Sequence, residues 1–314
     1  MKTLQLVIML AVLIIPDTWV LAEDSQDSKT LDKFRVFLEH SLQKKSIGRE
    51  DVKTFYEKTF PFWREHLQDY LHNPDRYQSL LSLYYKNQAL YRPALMVADI
   101  DQYKAEIERF KNLDARNTAP SKAVLFVGSS SIVLWETAVA FPYYPVINRG
   151  FGGSTLIDVN HFYDEVVKKY APAIIVLYCD NDIYLGAVPA MVLKRFQDFS
   201  DRVGRDLPNA KLIFLSIKPT PTDDFCGKDV RENGVIANGL IKEFVASRKN
   251  MRFVDVATPM FRDGKLRLDI FLPDGMHLNA RGYSIWNPIV AENLADIYRP
   301  ITDPDRRPSV ESSN

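Results

Sequence analysis

The sequence predicts an α/β layered fold with a buried, mainly parallel sheet, preceded by a helical N-terminal region. Two observations lead there. From residue 121 onward, short apolar runs at 123–127, 145–147, 173–178, 211–217 and 252–256 alternate with longer stretches of helical spacing at 156–169, 192–203 and 233–247. Strands that are apolar throughout belong to sheets covered on both faces, and parallel pairing needs a crossover helix between strands. From about residue 28 to 117 only helical periodicity is present, with aromatics and leucines three or four apart, as in Leu31, Phe34, Phe37 and Leu38, then Phe55, Phe60, Trp63 and Leu67. The chain of 314 residues has room for one or two domains.

The N-terminus opens Met1-Lys2, is apolar from Leu4 to Ile15, and reaches Val20-Leu21-Ala22 after Pro16. One positive charge, a short apolar core and small residues before a polar start predict a secretory signal peptide cleaved near Ala22, hence a secreted or periplasmic protein. The run is shorter than the roughly 20 residues a membrane-spanning helix needs. The expected organisation is therefore a signal peptide over 1–22, a helical region over 23–91, an α/β domain over 92–298 and a disordered tail over 299–314, the last rich in Pro, Asp and Ser.

Along the stretch of helical periodicity from about residue 28 to 117, Pro61, Pro74 and Pro93 are expected breaks, and His66 and His72 are expected on polar helix faces rather than at a metal. Its aromatics, Tyr56, Phe60, Phe62, Trp63, Tyr84 and Tyr85, read as core. The region could serve as a cap over the active-site face or as a docking element.

Forty Lys and Arg balance forty Asp and Glu, which removes any chain-wide electrostatic case for a nucleic-acid or anionic-membrane partner. Two cysteines, Cys179 and Cys226, are too few for a disulfide scaffold or a four-thiolate zinc site, and they could be bonded or free.

In open parallel sheets, ligands bind beyond the carboxyl ends of the strands, and four polar clusters follow the apolar runs. The first is Gly128-Ser129-Ser130-Ser131, where serines can cap the next helix or carry chemistry; no glycine stands where a G-x-S-x-G elbow requires it. The second, Asn148-Arg149-Gly150-Phe151-Gly152-Gly153-Ser154-Thr155, brings backbone N–H groups close to any occupant but matches neither dinucleotide fingerprint nor P-loop. The third, Cys179-Asp180-Asn181-Asp182, suits a turn or an amide donor and lacks the interleaved calcium pattern. The fourth is Asp274-Gly275-Met276-His277, where a turn can bring a carboxylate to an imidazole three residues on.

Taken in order, these four blocks resemble the SGNH/GDSL hydrolase superfamily, in particular bacterial GDSL-type esterase- or lipase-like members. The resemblance covers about residues 92–298. It implies a three-layer α/β/α sandwich around a mainly parallel sheet of about five strands. It also implies Ser130 as nucleophile, His277 as general base and Asp274 as its orienting carboxylate. The implied oxyanion donors are the backbone N–H groups of Ser130 and Gly153 and the Asn181 amide. Arg149 is a substrate-binding candidate, or else one half of a structural ion pair with a strand-end aspartate. The chain departs from the family pattern at Ser129 and Ser154, where Asp is common, and at Cys179, where Gly is usual.

The expected activity is carboxylic ester hydrolysis through an acyl-Ser130 intermediate, with neither metal nor organic cofactor and a small-molecule or glycan-linked ester as substrate. Alternatives are an acetyl-specific carbohydrate or peptidoglycan esterase, an acyltransferase, or a non-catalytic binding module on the same fold.

Overall fold

A computed structural model describes residues 24–95 and 100–298. The expected signal peptide and C-terminal tail lie outside the described residues. The chain begins with helices α1 (Asp24–Ser41), α2 (Arg49–Glu65), α3 (Leu67–His72) and α4 (Gln78–Leu95), then α5 (Lys104–Asp114) leads to the sheet. Rings from α1, α2 and α4 form a core of their own. Phe34 stacks on Phe62 at 3.5 Å between centroids, Phe55 on Tyr91 at 4.3 Å, and Trp63 meets Phe34 edge-on at 5.6 Å.

Of the three prolines expected to break helices, Pro74 does so, opening a short 3-10 turn, whereas Pro61 lies inside α2 and residue 93 lies within α4. Proline in a helix interior removes one backbone hydrogen bond. At Pro61 that loss falls one turn before the helix end, and Phe55, Tyr56, Phe62 and Trp63 on either side are buried in the same core. His66 also departs from expectation. It is buried against the Phe62 ring and bonded through Nδ1 to the Phe62 carbonyl, while His72 is exposed.

The sheet holds five parallel strands: β1 (Val124–Gly128), β2 (Val146–Gly150), β3 (Ile174–Tyr178), β4 (Lys211–Leu215) and β5 (Met251–Val254), in the order β2-β1-β3-β4-β5. All lie within about three residues of the apolar runs that predict them. Alternate residues serve opposite faces. Leu125, Val127, Ile175, Leu177 and Phe214 join one core cluster with Phe196 and Ile241, whereas Val124, Phe126, Ile174, Val176 and Leu215 join another with Trp286 and Val290. Full burial contributes roughly 1.5–3 kcal/mol for each such side chain, which is why strands covered on both faces carry almost no polar residue.

Short helices α6 (Ser130–Val133) and α7 (Thr137–Ala140) connect β1 to β2; α8 (Leu156–His161) and α9 (Tyr163–Val166) connect β2 to β3. Residues 156–169 are thus not one helix. The Arg202 guanidinium donates to the Asn160 carbonyl at 2.7 Å, and Phe162 between α8 and α9 leaves helical geometry with ψ 17°. After β3 come α10 (Asn181–Tyr184) and α11 (Pro189–Asp206); after β4, α12 (Asp223–Cys226) and α13 (Val230–Ala246). A two-stranded ladder, β6 (Phe261–Arg262) with β7 (Lys265–Leu266), precedes α14 (Ala280–Ala295). It has no counterpart among the expected elements, because two-residue strands carry no readable periodicity.

The strand order reverses between β1 and β3. From β1 the chain moves outward to β2, then returns past β1 to β3 and continues the other way. The crevice at such a switch point, beyond the carboxyl ends of the strands, is where ligands bind in sheets of this order.

Candidate active site

Ser130 is held at that crevice by the sharp end of β1. Gly128 has φ +136°, and a Cβ there would lie 1.8 Å from the Tyr178 carbonyl oxygen of β3, so only glycine lets the two strands approach. Ser129 follows as N-cap of α6, its N–H donating to Tyr178 O at 3.0 Å and its hydroxyl to Asp180 Oδ1 at 2.9 Å. Ser130 thereby becomes the first residue of α6 with a partly exposed side chain.

The loop between β7 and α14 supplies its neighbour. Asp274 Oδ1 accepts the backbone N–H groups of Met276 at 2.8 Å and His277 at 2.9 Å, a local turn that Gly275 completes at φ +66°. The turn aims the other oxygen, Oδ2, at His277 Nδ1, 2.8 Å away, and His277 Nε2 lies 3.0 Å from Ser130 Oγ. A carboxylate only accepts, so Nδ1 carries the ring proton and Nε2 is left to accept from the serine hydroxyl. Burial acts to raise the Asp274 carboxyl, but the hydrogen bond and charge of His277, with the two backbone N–H groups, outweigh it and hold the group below its ordinary value.

The glycine block lies alongside. Gly153 adopts φ +80°, a left-handed conformation suited to glycine. The Phe151 N–H donates to Gly128 O at 2.9 Å, tying the block to the end of β1, and Asn181 Nδ2 donates to Ser154 O at 3.0 Å, tying it to the end of β3. Neither the Ser130 N–H nor the Gly153 N–H donates to another described residue. Asn181 is buried, and its amide retains a second N–H.

The structure therefore brings Ser130, His277 and Asp274 together and links the Gly153 block to Asn181. It does not bring Arg149 to them. The Arg149 guanidinium pairs with Asp114 at 2.5 Å, donates to the Tyr170 hydroxyl and the Asn148 carbonyl, and lies over the Phe110 and Tyr170 rings. Its carboxylate partner stands at the end of α5 rather than at a strand end.

A profile of the GDSL-like Lipase/Acylhydrolase family matches residues 132–285. This α/β part of the chain belongs to the GDSL-like lipase/acylhydrolase family. The match begins just past Ser130 and includes Gly153, Asn181, Asp274 and His277. Among solved structures, the GDSL-like domain is similar to a provisionally named platelet activating factor from Streptococcus pneumonia, at 20% identity and TM-score 0.56 over 62% of this chain and 94% of that one. It is similar too to a GDSL-like lipase from Bacteroides thetaiotaomicron, at 19% identity and TM-score 0.53 over 62% and 99%. A provisionally named acylhydrolase from Bacteroides fragilis gives 20% identity and TM-score 0.53 over 62% and 97%. At these identities the likeness shows the fold. No curated protein gives a match.

Several residues around the site of this GDSL-like domain escape sequence reasoning. Tyr103, from the segment before α5, donates its hydroxyl to Gly153 O at 2.9 Å. Lys218, fully buried just past β4, pairs with Asp180 at 2.7 Å. The available signal was a lysine directly after an apolar run, where a solvent-facing turn is the ordinary expectation. Cys179 and Cys226 are free and buried. Burial pushes the Cys226 thiol up to about 12 and the Cys179 thiol well above its ordinary value, so neither is a ready nucleophile. Cys179 packs in the core beneath the sheet's end. Among the described residues no group of three potential ligands is placed to hold a metal ion, and no helix is long and apolar enough to cross a membrane.

Proposed function

We propose that the protein is a serine esterase that cleaves carboxylic esters through an acyl-Ser130 intermediate and acts outside the cytoplasm after loss of residues 1–22. The observation that carries this reading is the continuous chain Ser130 Oγ, His277 Nε2, His277 Nδ1, Asp274 Oδ2, with both links at hydrogen-bond length. A serine hydroxyl is a weak nucleophile at neutral pH, so His277 takes its proton as Oγ attacks the ester carbonyl. The positive imidazolium is stabilised by Asp274, already ionised. The oxyanion accepts from the Ser130 and Gly153 N–H groups and from the Asn181 amide, donors fixed before reaction. His277 then protonates the departing alcohol, and by the same route activates the water that releases the acid and restores Ser130.

The test is hydrolysis of a p-nitrophenyl ester series by the mature chain beside Ser130→Ala. Removing the nucleophile is expected to lower kcat by roughly 10⁶-fold, as in a triad protease. A preference confined to the acetyl ester would favour an acetyl-specific carbohydrate or peptidoglycan esterase. Equal activity of both proteins would rule out Ser130 as nucleophile, and equal inactivity of two folded proteins would favour a binding module.

A further inference from the structure

We propose that the buried Lys218–Asp180 ion pair is a positioning device that fixes Ser130 relative to Asn181. The proposal rests on the serine-esterase reading and adds residues to it. Asp180 is a hub between three strand ends. Its Oδ1 accepts from the Ser129 hydroxyl at 2.9 Å; its Oδ2 accepts from the Tyr178 hydroxyl at 2.8 Å and from Lys218 Nζ at 2.7 Å. Lys218 Nζ lies 3.3 Å from the same Tyr178 hydroxyl, and the Lys218 N–H reaches it at 3.5 Å. Ser129 immediately precedes Ser130, and Asp180 immediately precedes Asn181. The nucleophile and the amide donor are thus each one residue from opposite ends of a single hydrogen-bonded unit.

Side-chain exposure is 0% for Lys218 and 3% for Asp180. Taking both charges out of water is expensive, and well-packed apolar side chains would hold the strands together at least as stably. What an apolar pair would not do is fix direction. An ionised carboxylate with three donors is held at both oxygens by short, charge-assisted bonds. Burial acts to raise the Asp180 carboxyl, but Lys218 and the two hydroxyls outweigh it, so the group stays ionised. The side chains of Asp180 and Lys218 make no hydrogen bond to Ser130 or His277. They act through the backbone of Ser129 and Asn181, at a site where a displacement of about 1 Å costs on the order of 10²-fold in rate.

The test compares the full-length wild type with the double variant Asp180→Asn/Lys218→Met, which removes both charges together. Its readouts are Tm, kcat and KM on p-nitrophenyl acetate, and the rate of Ser130 labelling by a fluorophosphonate. The expected result is a folded protein with Tm no lower than wild type and near-normal KM. Its kcat should fall about ten- to hundredfold, with labelling slowed in proportion. A folded double variant with unchanged kcat and labelling would overturn the positioning role and leave the esterase reading standing. If the double variant does not fold, Ser129→Ala removes one link alone; a drop in kcat at constant KM supports the role, and an unchanged kcat overturns it. A wild type that neither hydrolyses the ester nor reacts with the phosphonate would overturn the serine-hydrolase reading and the positioning role with it.

Discussion

The helical region and the α/β domain bury comparable kinds of side chain and use them differently. In the helices, the core is rings packed on rings, stacked or edge-on, contacts with a weaker orientational preference than a hydrogen bond. At the carboxyl edge of the sheet, buried polar groups are locked into specific partners: Asp180 with Ser129, Tyr178 and Lys218, Asp182 with the Leu156 N–H and Arg195, and Asp158 with Thr155. Packing sets how firmly a region holds, whereas hydrogen bonds set where particular atoms point. The two regions meet at α12. Trp63 stacks on Phe225 at 4.6 Å, Tyr70 donates its hydroxyl to Asp224 at 2.5 Å, and Gln88 donates to the Phe225 and Cys226 carbonyls. Leu67 lies against Gly275, inside the loop that carries Asp274 and His277. The helices thus back the loop that presents the histidine.

The comparison predicts that changes at the sheet edge alter rate more than stability, and changes in the helices the reverse. The largest expected effect is Asp274→Asn. With the acceptor turned into an amide, the His277 tautomer is no longer fixed, and kcat should fall roughly 10⁴-fold with the fold retained. A loss below tenfold, read by steady-state kinetics alongside circular dichroism, would break the contrast.

Next is Trp63→Ala, which removes a fully buried ring touching Phe34, Tyr84 and Phe225. Urea unfolding should show a loss of about 3–5 kcal/mol, while turnover per folded molecule stays close to wild type. A collapse of kcat at full folding would mean that the helices act on the chemistry directly.

The smallest effect is in acid. Asp274 is held below its ordinary value of 3.8, so its contribution to stability is complete above that value and is lost as pH falls through its lower folded value. Asp158, Asp182 and Asp223 are raised by burial and have the opposite sign: the folded chain binds their protons more tightly, so acid favours it. Asp274→Asn should therefore lose less stability than wild type between about pH 4 and pH 2. Parallel urea midpoints for the two proteins across that range would contradict the assignment.

Much of this was legible in the chain. The central strands β1, β3 and β4 announce themselves as apolar runs, because a strand covered on both faces excludes polar groups, whereas the half-buried edge strands β2 and β5 carry Asn148, Arg149 and Arg252 beside shorter apolar stretches. The turn from Asp274 to His277 is legible because its partners are three residues apart. Ser130 and Asn181 lie in polar clusters that follow apolar runs, but it was the resemblance of the four ordered blocks to a known family that singled them out within those clusters. Less legible was the division of 156–169 at Phe162, beside which the Asn160 carbonyl accepts from Arg202, a residue some forty positions away. Arg149 was ambiguous because its partner Asp114 lies 35 positions upstream.

The chain alone settles the layered fold, the approximate places of the strands and the short Asp274–His277 turn, because periodicity and near-neighbour spacing follow from local geometry. Tertiary structure alone decided that Lys218 turns inward to Asp180, that Tyr103 reaches Gly153, and that Leu67 backs the His277 loop. Each of those contacts joins residues 38 to more than 200 positions apart. No pattern along the chain encodes such a distance; it is set only when the strands take their order in the sheet.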